Sequence, residues 1–592
     1  MAHRREPGEI SISTYKTVRA NGDTYVYQKK SVYDPALKYD KILERTLLGK
    51  IPAGTNEMIP TRPKKKTDES TEADGTSREM HAQRVPCTYL SIIQHVANSS
   101  DITRQVKMAF RGNRGVQEKL LTCAWYCFAS DGDTWPGIVP WTTKYRGSLP
   151  YATAISEDMC HDLFVEIGRD ETAKQKIFLD RAKPLRSERL LALDSTTIET
   201  FSENLRSPRK APHKDTLIKN VYKVTFFYSI NTRQPVAYAK IPGNIPDIST
   251  VSQAVEQLNA LGLKGSKVEV VADSGYVSDG NMGLLIKNKY DFIFHIESNT
   301  DWISKLIEEN RQKLETCQTI LRIAPEYTGV SLTVNRDLPY RRQRGSAKDN
   351  IKKGDIETFS TQLHVLIYYS SLQRGVDDKN FRMRYASVEE DIRTGSYLEP
   401  EDLKFSEKYM IITRKPDGEI ESIVPNKTAI AKKQKYNGYL VLVATREKDL
   451  EAGLEKYRKR EYIEEGMKNY KGHTGGDKPR KWNEDTLDGQ LLTLFLAYCM
   501  HESFEAMVQY QKSTLAIPMG VGAHDQVDNL KLEKTLKNWL RKTSLNKILQ
   551  WFEAVDYTRL RTGESKSTVI NGNTTKRDRL FLAKLGLNPE SI

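Results

Sequence analysis

Apolar and polar positions alternate with period two at the start of the chain, through Thr24-Tyr-Val-Tyr-Gln28. The turn-rich segment Gly49-Lys-Ile-Pro-Ala-Gly54 follows, and together they predict a small twisted β element. Residues 67–84 are polar without periodicity and read as a linker. From Cys87 to about Leu179 the period lengthens. Val116, Leu120, Leu121, Ala124 and Trp125 recur on one helical face, and Ser156 is placed to cap a helix through Leu163 and Ile167, so residues 85–180 are expected to form a helical domain. Apolar strand runs then appear at Arg189–Asp194, Tyr222–Ile230 and Gln234–Ile241, followed by a helix over Ser249–Leu261. A strand at Lys267–Asp273, a helix at Asp279–Lys287 and a strand at Asp291–Ile296 complete a mixed α/β layer. Further strand runs lie at His364–Ser370, Tyr409–Thr413 and Tyr439–Ala444. Residues 506–592 carry amphipathic helices at Leu530–Leu540 and Leu545–Phe552, expected to pack on the core.

A chain of 592 residues, 38% hydrophobic and 28% charged, has enough apolar content for several cores and is not disordered throughout. The longest apolar run, Leu491–Met500, is too short to cross a bilayer, and no membrane partner is expected. The first ten residues, MAHRREPGEI, lack the apolar segment of a signal peptide, which predicts a cytoplasmic location. Six scattered cysteines suit a reducing compartment. Cys123 and Cys127 are one helical turn apart, but no further ligands follow at zinc-site spacing, so they read as small buried hydrophobes.

Charge changes the picture. The net charge is +14, and residues 1–66 hold 14 Lys and Arg against seven Asp and Glu, including Arg62 and Lys64 to Lys66. Such a surplus attracts phosphate backbones, which makes residues 1–66 a candidate DNA-binding module; a solvated tail is the other reading. Asp194 and Asp273 are each the first acid after an apolar strand, and strand ends in α/β sheets are where ligands meet the protein. Either alone suits a turn or a cap. As a pair on one sheet they would repel each other unless a cation lay between them, and carboxylate oxygens select magnesium or manganese.

A third acid lies in YRKREYIEEGMKNYK, residues 457–471. At about 100° per residue, a continuous helix would bring Tyr457, Arg460, Glu464 and Lys471 into an arc of roughly 60°. A surface salt bridge between Arg460 and Glu464 would explain part of that pattern, at a few tenths of a kcal/mol.

The spacing of these four residues resembles the Y-(2)-R-(3)-E-(6)-K signature of the DDE transposases of bacterial insertion sequences, in the large group numbered four and its relatives. LALDST around Asp194, VADSGY around Asp273, Gly243-Asn244-x2-Asp247 and NGYLVLVAT before the signature are similar to that group's motifs. The segment GKIPAGTNEMIP resembles an N-terminal module of some members. Glu461 departs from the pattern, since the position after the signature Arg is often Trp in relatives.

The resemblance implies an α/β fold with a ribonuclease-H-like catalytic core in two parts, residues 185–300 and 438–505, interrupted by a largely β insertion over 301–437. It implies catalysis and metal binding by Asp194, Asp273 and Glu464 with two Mg2+ or Mn2+ ions, and phosphate contacts from Tyr457, Arg460 and Lys471. Tyr439 is expected as an aromatic platform for a flipped base. The implied activity is cut-and-paste excision and strand transfer through a hairpin intermediate, on double-stranded DNA carrying terminal inverted repeats and on target DNA, by a homodimer. A host nuclease on the same core, or a DNA-binding protein derived from a transposase, remain as alternatives. No phosphate-binding loop, HExxH, nucleophile elbow or dinucleotide motif occurs, which disfavours an ATP-driven machine.

Overall fold

Threonine, tyrosine, valine and isoleucine, which suit a pleated backbone, dominate the first strands of the chain. In a computed structural model they form β1 (Ile10–Val18), β2 (Thr24–Asp34), β3 (Tyr39–Ile51) and β4 (Ile59–Pro60), paired antiparallel in chain order. The structure describes residues 10–19, 22–34, 39–60, 87–132, 134–212, 218–264, 268–316, 318–342, 352, 354–416, 418–477, 479–516, 526–555, 558–562, 566–570 and 574–587. The linker expected over 67–84, Arg62 and Lys64 to Lys66 lie outside them. Residues 1–79 are one compact unit and residues 80–592 another. In the first, Tyr15 stands opposite Tyr27 with ring centroids 5.6 Å apart. The Arg45 guanidinium lies 4.0 Å from the Tyr27 centroid and 5.2 Å from that of Tyr15. An aromatic and cationic ladder thus crosses three strands.

The second unit begins with α1 (Cys87–Ser99), α2 (Ile102–Ala109), α3 (Arg114–Ala129), α4 (Ile138–Lys144), α5 (Glu157–Arg169), α6 (Glu171–Arg181) and α7 (Leu185–Glu188). The side chains of Asn113, Ser156 and Asp170 accept from backbone N–H groups in the first turns of α3, α5 and α6. All five apolar positions that mark the α3 face are buried, and Cys123, Cys127, Cys160 and Cys499 are free and buried.

Next come β5 (Leu190–Glu199), β6 (Arg209–Pro212), β7 (Ile218–Ser229), β8 (Gln234–Pro242), α8 (Val251–Ala260), β9 (Glu269–Ala272), α9 (Asp279–Lys287) and β10 (Asp291–Ile296). The predicted order of strands and helices holds, with β6 as an addition. Residues 301–437 form α10 (Asp301–Glu315), β11 (Thr328–Arg341), β12 (Ile356–Tyr369), α11 (Ser371–Thr394), α12 (Pro400–Tyr409), β13 (Met410–Arg414), β14 (Ile420–Pro425) and α13 (Lys427–Gln434). This stretch, expected to be largely β, is mixed instead. The long α11 buries only Val388 and Ile392, so its sequence carries almost no helical periodicity to read. Moreover, β11 and β12 extend the core sheet, while α11, α12 and the β13–β14 hairpin close a small second core around Phe405 and Tyr409.

The chain returns through β15 (Tyr439–Ala444), α14 (Leu450–Arg458), α15 (Glu461–Gly472) and α16 (Glu484–Thr514), and ends with α17 (Gln526–Lys542), α18 (Leu545–Ala554), β16 (Thr558–Thr562), β17 (Lys566–Ile570) and α19 (Lys576–Lys584). The nine-stranded mixed sheet runs β11-β12-β15-β10-β9-β5-β7-β6, with β8 also paired to β7. Its parallel pairs, β5–β9 and β9–β10, lie at the centre. The expected packing of the C-terminal helices on the core is met, since Leu536, Leu540, Ile548, Leu549 and Phe552 are buried in it.

The hub is α16. It is long and apolar enough to cross a membrane by composition, yet most of it is buried inside the protein. Gly489 lets it meet α5, because a Cβ there would sit 2.0 Å from the Phe164 carbonyl oxygen. On another side Gly466 of α15 faces the Tyr498 hydroxyl, 2.1 Å from where a Cβ would stand. Glu502 of α16 is also buried; it accepts from the Tyr228 hydroxyl at 2.6 Å and from the Asn469 amide at 3.3 Å, joining α16 to β7 and α15.

Burial pushes Glu502 up to about 7 against an ordinary 4.5. The folded state therefore holds a proton that the unfolded chain releases, so this contribution to stability is complete below pH 4.5 and is lost as pH rises through 7. Glu502→Gln, which cannot ionise, is expected to be more stable than the wild type at pH 8, by up to about 3 kcal/mol, and nearly equal to it at pH 4. Chemical denaturation at both pH values checks this; a variant weaker at pH 8 would contradict it.

Candidate active site

Strand register builds the site. Parallel pairing of β5 with β9 sets Leu190 beside Glu269, Leu191 beside Val270 and Ala192 beside Val271. Two residues further on, where β9 has ended, Asp194 and Asp273 stand level. On the other side of β9, Phe294 pairs with Ala272, so His295 is level with Asp273. Three adjacent strands thus bring Asp194, Asp273 and His295 into one row at the end of the sheet. His295 Nδ1 lies 3.3 Å from Asp273 Oδ1.

Both aspartates also serve their own turns. Asp194 Oδ1 accepts from Ser195 N at 2.8 Å, and Asp273 Oδ1 accepts from Ser274 N at 2.7 Å, where it caps the short 3₁₀ turn Ser274–Tyr276. Their electrostatics differ. Burial pushes Asp194 up to about 6, with Glu464 and Asp273 adding repulsion and Arg460 opposing it. The His295 hydrogen bond holds Asp273 down near 2, aided by its backbone bond and by Arg460.

The signature segment supplies the rest. It is not the single regular helix that a uniform 100° per residue assumes, because α14 ends at Arg458 and α15 begins at Glu461. Between them the bonds tighten to i→i−3: Arg460 N to Tyr457 O, Tyr462 N to Lys459 O and Ile463 N to Arg460 O. This 3₁₀ spacing stacks residues three apart. Arg460 accordingly lies 5.7 Å from the Tyr457 ring centroid. Its Nη1 donates to Asp194 Oδ2 at 3.1 Å and its Nη2 to Glu464 Oε1 at 2.5 Å. Only 13% of its side chain is exposed, so this is no surface salt bridge. Tyr457 is half-enclosed beside His295, centroids 5.9 Å apart, and burial pushes its phenol up to about 12.

The structure thus assembles Asp194, Asp273, Glu464, Tyr457 and Arg460. Lys471 is seven residues beyond Glu464, about 10 Å along α15, and donates to the Thr197 carbonyl of β5 at 2.9 Å. It flanks the acids without joining them. Tyr439 is held elsewhere: its hydroxyl donates to Glu315 Oε1 at 2.8 Å, and its ring packs on Tyr369. It does line a cleft of about 590 Å3 that starts at His295 and is walled by Arg384, Lys432, Lys433 and Tyr436. Asp247, singled out with Gly243 and Asn244, pairs with Lys223 at 2.9 Å. His295, Ser195 and Tyr276 escaped the sequence reasoning. The only signal for His295 was its place as the polar residue in the apolar run Asp291–Ile296, level with the preceding strand's acid.

The donor chemistry of Asp194, Asp273 and Glu464 fits a hard divalent cation: carboxylate oxygens only, with Asp273 and Glu464 close enough to Asp194 to raise its pKa. As they stand, no three acids or imidazoles among the described residues converge on a common ion position. Arg460 explains why, since it draws Asp194 and Glu464 onto its own guanidinium. Removing that guanidinium leaves the carboxylates without a counter-charge. Mg2+ is therefore expected to raise the Tm of Arg460→Ala by at least about 2 °C more than it raises that of the wild type. Thermal melts with and without Mg2+ measure this, and equal shifts would separate Arg460 from the cation site.

The family of transposase DDE domains is matched over residues 185–500, more than half of the chain and the whole span from β5 to the middle of α16. No curated protein matches. Among solved structures, the cryo-EM structure of a piggyBac transposase synaptic complex with hairpin DNA is similar at 10% identity and a TM-score of 0.32, covering 83% of this chain and 88% of that one. The chain belongs to the DDE transposase domain family.

Proposed function

We propose that this transposase excises and reinserts an insertion sequence by a cut-and-paste route, with Asp194, Asp273 and Glu464 as its catalytic acids and the signature Tyr457, Arg460 and Lys471 as DNA contacts. The observation that carries this reading is the row formed by Asp194 on β5 and Asp273 just past β9, closed by Arg460 and Glu464 from the α14–α15 segment. The core is read as ribonuclease-H-like, since its strands run antiparallel and then parallel with the acids on adjacent central strands.

Asp194, Asp273 and Glu464 would hold two Mg2+ or Mn2+ ions. Such ions supply the Lewis acidity for hydrolysis and for strand transfer by the freed 3′-hydroxyl. The protein's own groups do the rest. Once the acids have another counter-charge, Arg460 is free to turn its planar fork to the phosphate of the cut strand. Tyr457, protonated at any working pH, offers a neutral donor beside it. Lys471 meets the strand further along α15. For a hairpin intermediate, the cleft beside His295, with Lys432 and Lys433 on one wall and Tyr436 and Tyr439 as ring faces, is the place for a flipped base.

The unit of residues 1–79 would read the terminal inverted repeats of double-stranded DNA, with the Tyr15, Tyr27 and Arg45 ladder on its sheet. Two ends must be coupled, so the protein would act as a homodimer on DNA, in the cytoplasm at the nucleoid.

Asp194→Asn, Asp273→Asn and Glu464→Gln are each expected to lower end cleavage by at least about 1000-fold in Mg2+ while binding of end DNA persists. Gel assays of nicking and of binding on the same substrates decide it, and a variant that cuts at the wild-type rate leaves the triad. Deletion of residues 1–79 is expected to remove most of the affinity for ends and to reduce the slope of log affinity against log salt, because fewer counterions are released. An unchanged slope would move recognition to the second unit.

A further inference from the structure

The two aspartates that stand level are not held level by the sheet. The β5–β9 ladder stops at Ala192 and Val271, and β9 itself ends at Ala272, whereas β5 runs on to Glu199 zipped only to β7. Beyond that point Asp273 sits on a turn, with no backbone pairing to the strand that carries Asp194. Something else must fix their separation.

A side-chain contact replaces the missing ladder. Ser195, next to Asp194, has its Oγ 2.6 Å from the hydroxyl of Tyr276, three residues after Asp273. The same Oγ lies 2.8 Å from Thr225 Oγ1 on β7, directly across from Ser195 in register. Tyr276 is 2% exposed. Its main chain is also anchored, because Asn281 Nδ2 donates to the carbonyls of both Tyr276 and Ile248, at 2.8 and 2.7 Å. The buried hydroxyls of Thr225 and Tyr276 are both satisfied through the half-buried Ser195, where either alone would carry a desolvation penalty.

Placement on the sheet gives this contact its use. Neighbouring residues on a strand aim at opposite faces, so Ser195 points away from the face where Asp194 meets Arg460 and α15. The contact can set the spacing of the two acid-bearing backbones without competing for either carboxylate.

We propose that Ser195 and Tyr276 form a positioning clasp that ties the Asp273 turn to β5 and thereby sets the separation of Asp194 and Asp273 for divalent cations. Neither residue touches substrate or ion; both act through the aspartates beside them. The proposal rests on the reading of the acids as cation ligands.

The test is Mn2+ binding to the full-length protein without DNA, followed by electron paramagnetic resonance, alongside the Mg2+ dependence of end nicking and the Tm. Tyr276→Phe removes one hydroxyl at constant ring packing. It is expected to weaken Mn2+ binding about three- to tenfold, the range one hydrogen bond spans, and to raise the Mg2+ concentration for half-maximal nicking by a similar factor. The rate at saturating Mg2+ should remain near the wild-type value. Ser195→Ala should do the same, and the double variant should be no weaker than the worse single one. Asp194→Asn is the control: if it leaves Mn2+ binding unchanged, the reading of the acids as ligands fails. If Asp194→Asn weakens binding but Tyr276→Phe and Ser195→Ala lower only the Tm, the clasp is structural and the proposal is overturned. Should Tyr276→Phe not fold, the same measurements on Ser195→Ala decide between the two outcomes.

Discussion

Burial of one carboxylate with two others close by is the constraint on which this site depends. Burial lifts Asp194 to about 6, and Glu464 and Asp273 add their repulsion to it while Arg460 opposes it. Negative charge gathered around the half-buried Asp194 favours positive charge beside it. The protein supplies some from its own chain, through Arg460 to two of the acids, while His295 lies within hydrogen-bond reach of the third. That supply is of a kind that can be exchanged. A guanidinium on a side chain can turn away when a stronger counter-charge arrives, and the same group is well shaped for phosphate.

The rest of the second unit is arranged to hold this charge cluster in place. The parallel centre of the sheet brings the middle of β5 and the end of β9 to the same height, and Ser195 with Tyr276 carries the tie past the last ladder bond. The third acid arrives from far along the chain, on a helix whose position is set by α16. Gly466 allows the close approach to Tyr498, and Asn469, five residues beyond Glu464, is bonded to buried Glu502. Burial of α16 therefore bears on chemistry that it never touches.

The legible parts of the chain were those where local pattern and final environment agree. The strands and helices from Leu190 to Ile296 appear in the order their periodicity predicts, because each buries a full face. Val116 to Trp125 formed the expected buried stripe, and the three acids came together. What stayed hidden depended on long-range contacts or on weak periodicity. Nothing local to His295 says that it stands beside Asp273; only the register does. The helix α11 touches a core through few residues, so its stretch passed as β. The tightened turn at Lys459 and Arg460 is invisible to an ideal helical wheel, although it is what stacks Arg460 on Tyr457. Tyr439 begins β15 as expected, but its hydroxyl is engaged by Glu315, which no spacing rule foretold.

In the proposed mechanism Asp194 is a direct oxygen ligand to a divalent ion during DNA cleavage. A thiol in its place tests this most directly, since sulfur is a poor ligand for Mg2+ and a better one for Mn2+. Asp194→Cys, assayed for nicking of end DNA at equal DNA occupancy, should be inactive in Mg2+ and recover substantial activity in Mn2+, while the wild type cuts in both. Full activity of Asp194→Cys in Mg2+, or equal inactivity in the two metals with DNA binding intact, would contradict the account.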